Sequence, residues 1–164
     1  MKSRGKLNTM PRVLILAYGN SLRSDDGVAW HIADALAGKY STEQVEIFAL
    51  HQLGPELAET ISRSECIIFV DAAAGPGLPG EIQVKELSAN PSIPSDPPGF
   101  CHALSPSHVL ALAAQLYSAR SRAFSATVVG ENFDHGESLS EPVKAAIPAL
   151  VARIDDLVRK TGQQ

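Results

Sequence analysis

Val13–Gly27 reads VLILAYGNSLRSDDG, and the organisation of the whole chain can be worked outward from it. Val13–Tyr18 is a short apolar run that predicts a strand. Gly19-Asn20 is a strong turn pair and stops it. A polar loop, Ser21–Asp26, follows. Val28, Ile32, Ala35 and Leu36 then recur at helical spacing, which predicts a helix over about Gly27–Lys39.

The same alternation continues downstream. Val45–Leu50 places Val45, Ile47 and Ala49 on one face of a second strand. Pro55 opens a short helix of about Pro55–Arg63, because proline is preset for a first turn. Cys66–Val70 is apolar throughout, as expected of a strand buried on both faces, and it ends in Asp71. After the Gly/Pro loop Ala72–Gly80, Glu81–Leu87 alternates like an edge strand. Ala89–Gly99 carries Pro91, Pro94, Pro97 and Pro98, which excludes helix and predicts an exposed loop. Ser105-Pro106 supplies a cap and a first-turn proline for a helix whose apolar face is Val109, Leu112, Ala113 and Leu116. A last strand is expected at about Ala126–Gly130. Ser138–Glu141 has capping-box spacing before a final helix to about Arg159, which Pro148 should kink. Strands alternating with helices predict an α/β three-layer sandwich: a mostly parallel sheet of about five strands with helices on both faces.

A length of 164 residues suits one domain across 1–164, with Met1–Pro11 as a loose tail. That tail is polar and basic with no apolar segment behind it, so it is not a secretory signal. Hydrophobic residues at 45% and charged residues at 20% describe an ordinary globular chain. A net charge of −4 and the lack of a basic stripe with interleaved aromatics argue against nucleic acid. No apolar run approaches membrane-spanning length. The cysteines are Cys66 and Cys101. Cys66 reads as a small core residue, and so sparse a set fits a reducing, cytoplasmic compartment. No large exposed apolar face is evident, so a monomer is expected.

In an open parallel sheet the ligand crevice lies beyond the carboxyl ends of the strands. That edge collects Asn20, Asp25 and Asp26 after the first strand, His51 and Gln52 after the second, Asp71 after the third, and Glu131 and Asn132 after the last. His102 lies in the loop entering the helix at Ser105. Two carboxylates and an imidazole form a set that a borderline divalent metal accepts. Of the adjacent acids, one is expected to cap the following helix and the other to face the crevice. Asp71, directly after a buried strand, needs a partner, which a turn could also provide. His108, one turn into its helix, is expected to face solvent, and Cys101 reads as a spectator thiol. Gly-x-Gly-x-x-Gly spacing is absent, since positions 21 and 24 are serines, and there is no phosphate-loop, H-E-x-x-H or G-x-S-x-G motif.

Several blocks together resemble the nickel-iron hydrogenase maturation endopeptidases. VLILAYGNSLRSDDG is similar to that family's opening, an apolar strand, G-N, a short loop, an acidic pair and a helix. IIFVDA at Ile67–Ala72 is similar to its second acidic motif, and CHALSPSHVLALA at Cys101–Ala113 to its His-x-Leu-Ser block. HQLGPELAE at His51–Glu59 and FDHGESLSEPV at Phe133–Val143 resemble blocks of enzymes that process cytoplasmic hydrogenases. The resemblance runs from about Val13 to Leu157. It implies an endopeptidase that removes the C-terminal extension of a hydrogenase large-subunit precursor after nickel insertion. It also implies that Asp26, Asp71 and His102 are catalytic and contact a nickel ion carried by the precursor. Many members have a D-G-G-[TS] segment where this chain has His51-Gln52-Leu53-Gly54, and some place the histidine nearer His108. Beside this stand two other readings: a flavodoxin-like module binding phosphate at the loop after the first strand, and a non-catalytic large-subunit chaperone.

Overall fold

The computed structural model describes residues 12–88 and 104–163. The expected tail Met1–Pro11, the proline-rich loop Ala89–Gly99, Cys101 and His102 lie outside the described residues. The elements run β1 (Val13–Tyr18), a tight 3-10 turn (Ser24–Gly27), α1 (Val28–Leu36), β2 (Val45–Leu50), α2 (Leu57–Ser62) and β3 (Cys66–Ala73). They continue with β4 (Ile82–Leu87), α3 (Pro106–Tyr117), β5 (Arg122–Val129) and α4 (Glu141–Gly162). The sheet order is β2-β1-β3-β5-β4. β1, β2, β3 and β5 are parallel, and β4 pairs antiparallel with β5 at an edge.

Alternation along the strands divides the interior into two cores. Val13, Ile15 and Ala17 of β1, with Ile68 and Val70 of β3, pack against α1 and α4. Leu14 and Leu16, with Ile67 and Phe69, point to the other face and meet α2 and α3. This is why β1 and β3 read as unbroken apolar runs: both faces are covered. The architecture is the expected three-layer α/β sandwich.

Differences from the expectation lie at element ends. The acidic turn before α1 winds as a 3-10 turn, so the α-helix begins at Val28 and stops at Leu36. Pro55 and Glu56 form a turn, closed by Leu57 N–H on Gly54 and Ala58 N–H on Pro55, and α2 starts after it. β5 begins at Arg122, well before its apolar part, because β3 and β4 flank it and their ladders continue regardless of side chain. β3 runs on to Ala73, so Asp71 lies inside the strand rather than after it. α3 starts as anticipated, with Ser105 as cap and Pro106 in the first turn. α4 begins after Ser140, not Ser138, and continues through Pro148 to Gly162. Among the described residues no helix is long and apolar enough to cross a membrane.

Candidate active site

From β1 the chain moves to β2 on one side of the sheet and then returns to β3 on the other side of β1. The connections therefore diverge above the carboxyl ends of β1 and β3, which makes this the switch-point crevice of an open α/β sheet. β1 stops at Tyr18, and Gly19 N–H turns away to bond Leu50 of β2 at 3.0 Å. β3 continues, paired with β5, Asp71 opposite Thr127. The β1–β3 ladder thus ends at Val70, and Asp71 is the first residue of β3 beyond it.

Asp71 follows Ile67 and Phe69 onto the α2/α3 face and is half-buried. Ala72 N–H donates to its Oδ1 at 2.7 Å, and the Tyr18 phenol is near enough to favour the charged carboxylate. Burial pushes its pKa from 3.8 up to about 7. Ala72 N–H and the Tyr18 phenol pull it back, and the negative charge of Asp26 adds to the rise. Burial, with the charges of Asp71 and Asp26, likewise raises the Tyr18 phenol above its usual value.

Asp26 reaches the same crevice from the 3-10 turn. Its carbonyl comes so close to Gly19 that a Cβ there would lie 2.0 Å from the oxygen, and Gly19 also has φ +152°. Only glycine tolerates that combination, so the Gly19-Asn20 pair makes room for the acidic turn rather than for a nucleotide. Asn20 N–H donates to Asp26 Oδ2 at 2.8 Å. The Asn20 side chain accepts from Leu22 N–H at 2.9 Å through Oδ1.

Asp25 has the opposite fate. It is 0% exposed, and it caps no helix of its own. Its Oδ2 accepts from Glu131 N–H (2.8 Å), Asn132 N–H (2.9 Å) and the Ser140 hydroxyl (2.8 Å). Its Oδ1 accepts from Ser140 N–H at 2.7 Å. Burial alone would raise its pKa, but the bonds from Asn132, Ser140 and Glu131 outweigh this and hold it below the usual carboxylate range. Backbone bonds from Ser24 to Gly136 (2.7 Å) and from Asp25 to Asn132 (3.0 Å) lace the same two loops together. Neighbouring aspartates are thus divided between a buried tie and the crevice. Glu131 and Asn132 serve Asp25 through their backbone, and their side chains are exposed.

Of the histidines, His102 lies outside the described residues. Leu104 N–H bonds Leu53 at 3.3 Å, tying the start of the following segment to the loop after β2. His108 does not simply face solvent. Its Nδ1 sits 2.7 Å from Ser105 Oγ, and the pair forms a reciprocal capping box on α3. His51 is exposed and packs at 5.2 Å between ring centroids against Trp30, whose indole N–H donates to Gly19 at 2.9 Å. Sequence reasoning passed over both Tyr18 and Trp30; a polar aromatic ending an otherwise apolar strand was the available signal for Tyr18. Among the described residues no three His, Cys, Asp or Glu side chains are grouped to hold a metal. A groove of about 450 Å³ lies between α1 and β2, from Ala33 to Ala49, and is lined by neither Asp26 nor Asp71.

The fold and its switch-point edge define an open, mostly parallel α/β protein whose crevice lies beyond the carboxyl ends of β1 and β3. The chain covers 92% of itself and 94% of the hydrogenase maturating endopeptidase HybD from E. coli, at TM-score 0.74 and 23% identity. A [NiFe] hydrogenase maturation protease HycI from Thermococcus kodakarensis matches at TM-score 0.69 and 20% identity, covering 90% of this chain and 92% of that one. HybD from Thermococcus kodakarensis matches at TM-score 0.62 and 25% identity, covering 90% and 99%. A comparison with curated protein sequences gives no match. The family model described as "HycI: Hydrogenase maturation protease" matches residues 30–156, and the chain belongs to that family. It is therefore a protease. The matched span includes Asp71 and His102 and begins just beyond Asp26.

Proposed function

We propose that this protein is an endopeptidase that removes the C-terminal extension from a nickel-loaded [NiFe]-hydrogenase large-subunit precursor, acting in the cytoplasm as a monomer. Asp26, Asp71 and His102 contact the nickel, which arrives as part of the substrate. What supports this reading is that the turn after β1 carries Asp26 and β3 carries Asp71 at the same switch-point edge, where the charge of Asp26 adds to the raised pKa of Asp71. Two carboxylates held together repel each other until a cation joins them. Adding an imidazole gives a donor set suited to a borderline divalent metal. His102 is favoured over His108 because the His108 ring is engaged in the α3 cap.

Nickel in the precursor polarises a carbonyl or lowers the pKa of water. Three protein ligands leave coordination positions open for either. Alternatively, one carboxylate acts as general base, taking a proton from the attacking water and returning it to the leaving amine, while the metal only positions the peptide. Protonation of Asp71 also competes with nickel for the same oxygens.

A phosphate-binding module is disfavoured by the loop after β1. The N–H groups of Asn20, Leu22, Arg23, Ser24, Asp25 and Asp26 are all spent on partners within the protein. A loop with its donors occupied and two acidic side chains makes a poor anion cradle.

Intact-mass spectrometry of a cognate precursor, incubated with and without prior nickel loading, tests the proposal. Loss of one C-terminal peptide from the nickel-loaded form alone is expected. Cleavage irrespective of nickel would keep the peptidase and remove the metal-reading role. An untouched, verified nickel-loaded precursor would shift the weight to a chaperone.

A further inference from the structure

Tyr18 is the last residue of β1, and the rest of that strand is apolar. β1 and β3 are in register through Ala17 opposite Val70, so one more step along each strand sets Tyr18 beside Asp71. Alternation places both on the α2/α3 face, where the Tyr18 ring packs against the core. Phenylalanine would fill that place equally well. The phenol oxygen adds something only through a polar partner, and the neighbour that register and alternation give it is the Asp71 carboxylate. A carboxylate cannot donate, so the phenol O–H does. Asp71 Oδ1 is held by Ala72 N–H at 2.7 Å, and the Tyr18 hydroxyl is the side-chain donor beside it on the same face of the sheet.

We infer that the Tyr18 hydroxyl is a positioning group for Asp71, holding the carboxylate at the crevice against repulsion from Asp26 before a cation arrives. The inference rests on the reading of Asp26 and Asp71 as nickel contacts. Two carboxylates without a metal between them gain by turning apart. A donor anchored in the core on the β1 side removes that freedom, so the pair is already aimed when the precursor docks. Without the hydroxyl, Asp71 must be reordered at each encounter. The loss should resemble that of other groups that orient a metal ligand, about 10–100-fold.

The experiment compares wild type, Tyr18→Phe, Asp71→Asn and the double variant. Cleavage kinetics on a nickel-loaded precursor, affinity for Ni²⁺ alone by equilibrium dialysis, and thermal melts are recorded for each. Tyr18→Phe should melt with wild type, lose about 10–100-fold in kcat/KM, and weaken Ni²⁺ binding. In the Asp71→Asn background it should change Ni²⁺ affinity no further, because its effect runs through Asp71. Kinetics within about twofold of wild type, while Asp71→Asn abolishes cleavage, would sink the positioning role and leave the nickel reading standing. A lowered melt with activity lost in parallel would make Tyr18 merely structural and overturn the inference. Wild-type protein that neither cleaves the loaded precursor nor binds Ni²⁺ would end both.

Discussion

Replacing Asp25 by asparagine keeps the shape and removes the charge, so it isolates what the buried carboxylate does. The wild-type group takes three donors on Oδ2 and one on Oδ1, with no exposure to water. Asparagine can accept at one end only. In its better orientation the oxygen keeps Glu131 N–H, Asn132 N–H and the Ser140 hydroxyl, and the amide nitrogen then faces Ser140 N–H. One charge-assisted bond is lost, a buried donor is orphaned and the remaining bonds weaken. Hydrogen bonds to charged groups contribute about 1.5–3 kcal/mol, and an unsatisfied buried donor costs about 1–3 kcal/mol. The expected loss is about 3–5 kcal/mol, which for a chain of this size lowers the melting temperature by roughly 10 °C. Urea and thermal melts at pH 7 measure it, with Asp26→Asn as the neighbouring control, expected within about 1 kcal/mol of wild type. The folded pKa of Asp25 is depressed, so its stabilisation is present above the ordinary carboxylate pKa. It is lost as pH falls through the depressed value. An Asp25→Asn variant as stable as wild type at pH 7 would refute the claim that this carboxylate ties the two loops.

Asp26→Asn, Asp71→Asn and His102→Ala should each abolish precursor cleavage while the protein stays folded; wild-type-like processing by any one of them, read by intact mass, removes that residue from the site. Asp71→Asn should also stabilise. The folded pKa of about 7 lies above the ordinary 3.8, so the group's contribution is fully present below that ordinary value and is lost as pH rises towards 7. At about 1.36 kcal/mol per unit the limit is about 4 kcal/mol, and for a half-buried group about 1–2 kcal/mol is expected. The variant should therefore out-melt wild type at pH 8 and match it at pH 4, and equal melts at both would show that Asp71 carries no such strain. Gly19→Ala should cost at least about 1–3 kcal/mol and impair cleavage, because its Cβ would drive the Asp26 carbonyl away. An active, normally melting alanine variant would mean that the close approach has no role.

Hydrophobic period and punctuation were enough to read the layers from the sequence. Cys66–Val70 has no polar face, which only a strand covered on both sides tolerates, and Ser105-Pro106 marks a helix start by local chemistry alone. Both signals depend on neighbours in the chain, so they survive without tertiary information. Asp26 and Asp71 were legible as candidates for a similar reason: each follows an apolar strand or its loop, and parallel sheets gather such positions at one edge.

Other matters depended on residues far apart in sequence. No local rule separates Asp25 from Asp26. Their division arises because Glu131, Asn132 and Ser140 arrive from more than a hundred residues away and claim one of them. The strand order placed β1 between β2 and β3, which set Tyr18 beside Asp71 and opened the crevice where β1 stops and β3 does not. Sequence by itself determined which segments are strands and helices and which carboxylates stand near strand ends, because those are matters of spacing along one chain. Only the tertiary structure decided which carboxylate is buried and bonded, which remains at the crevice, and which phenol meets it. Those outcomes are set by burial and by hydrogen-bond donors that the fold brings in from elsewhere.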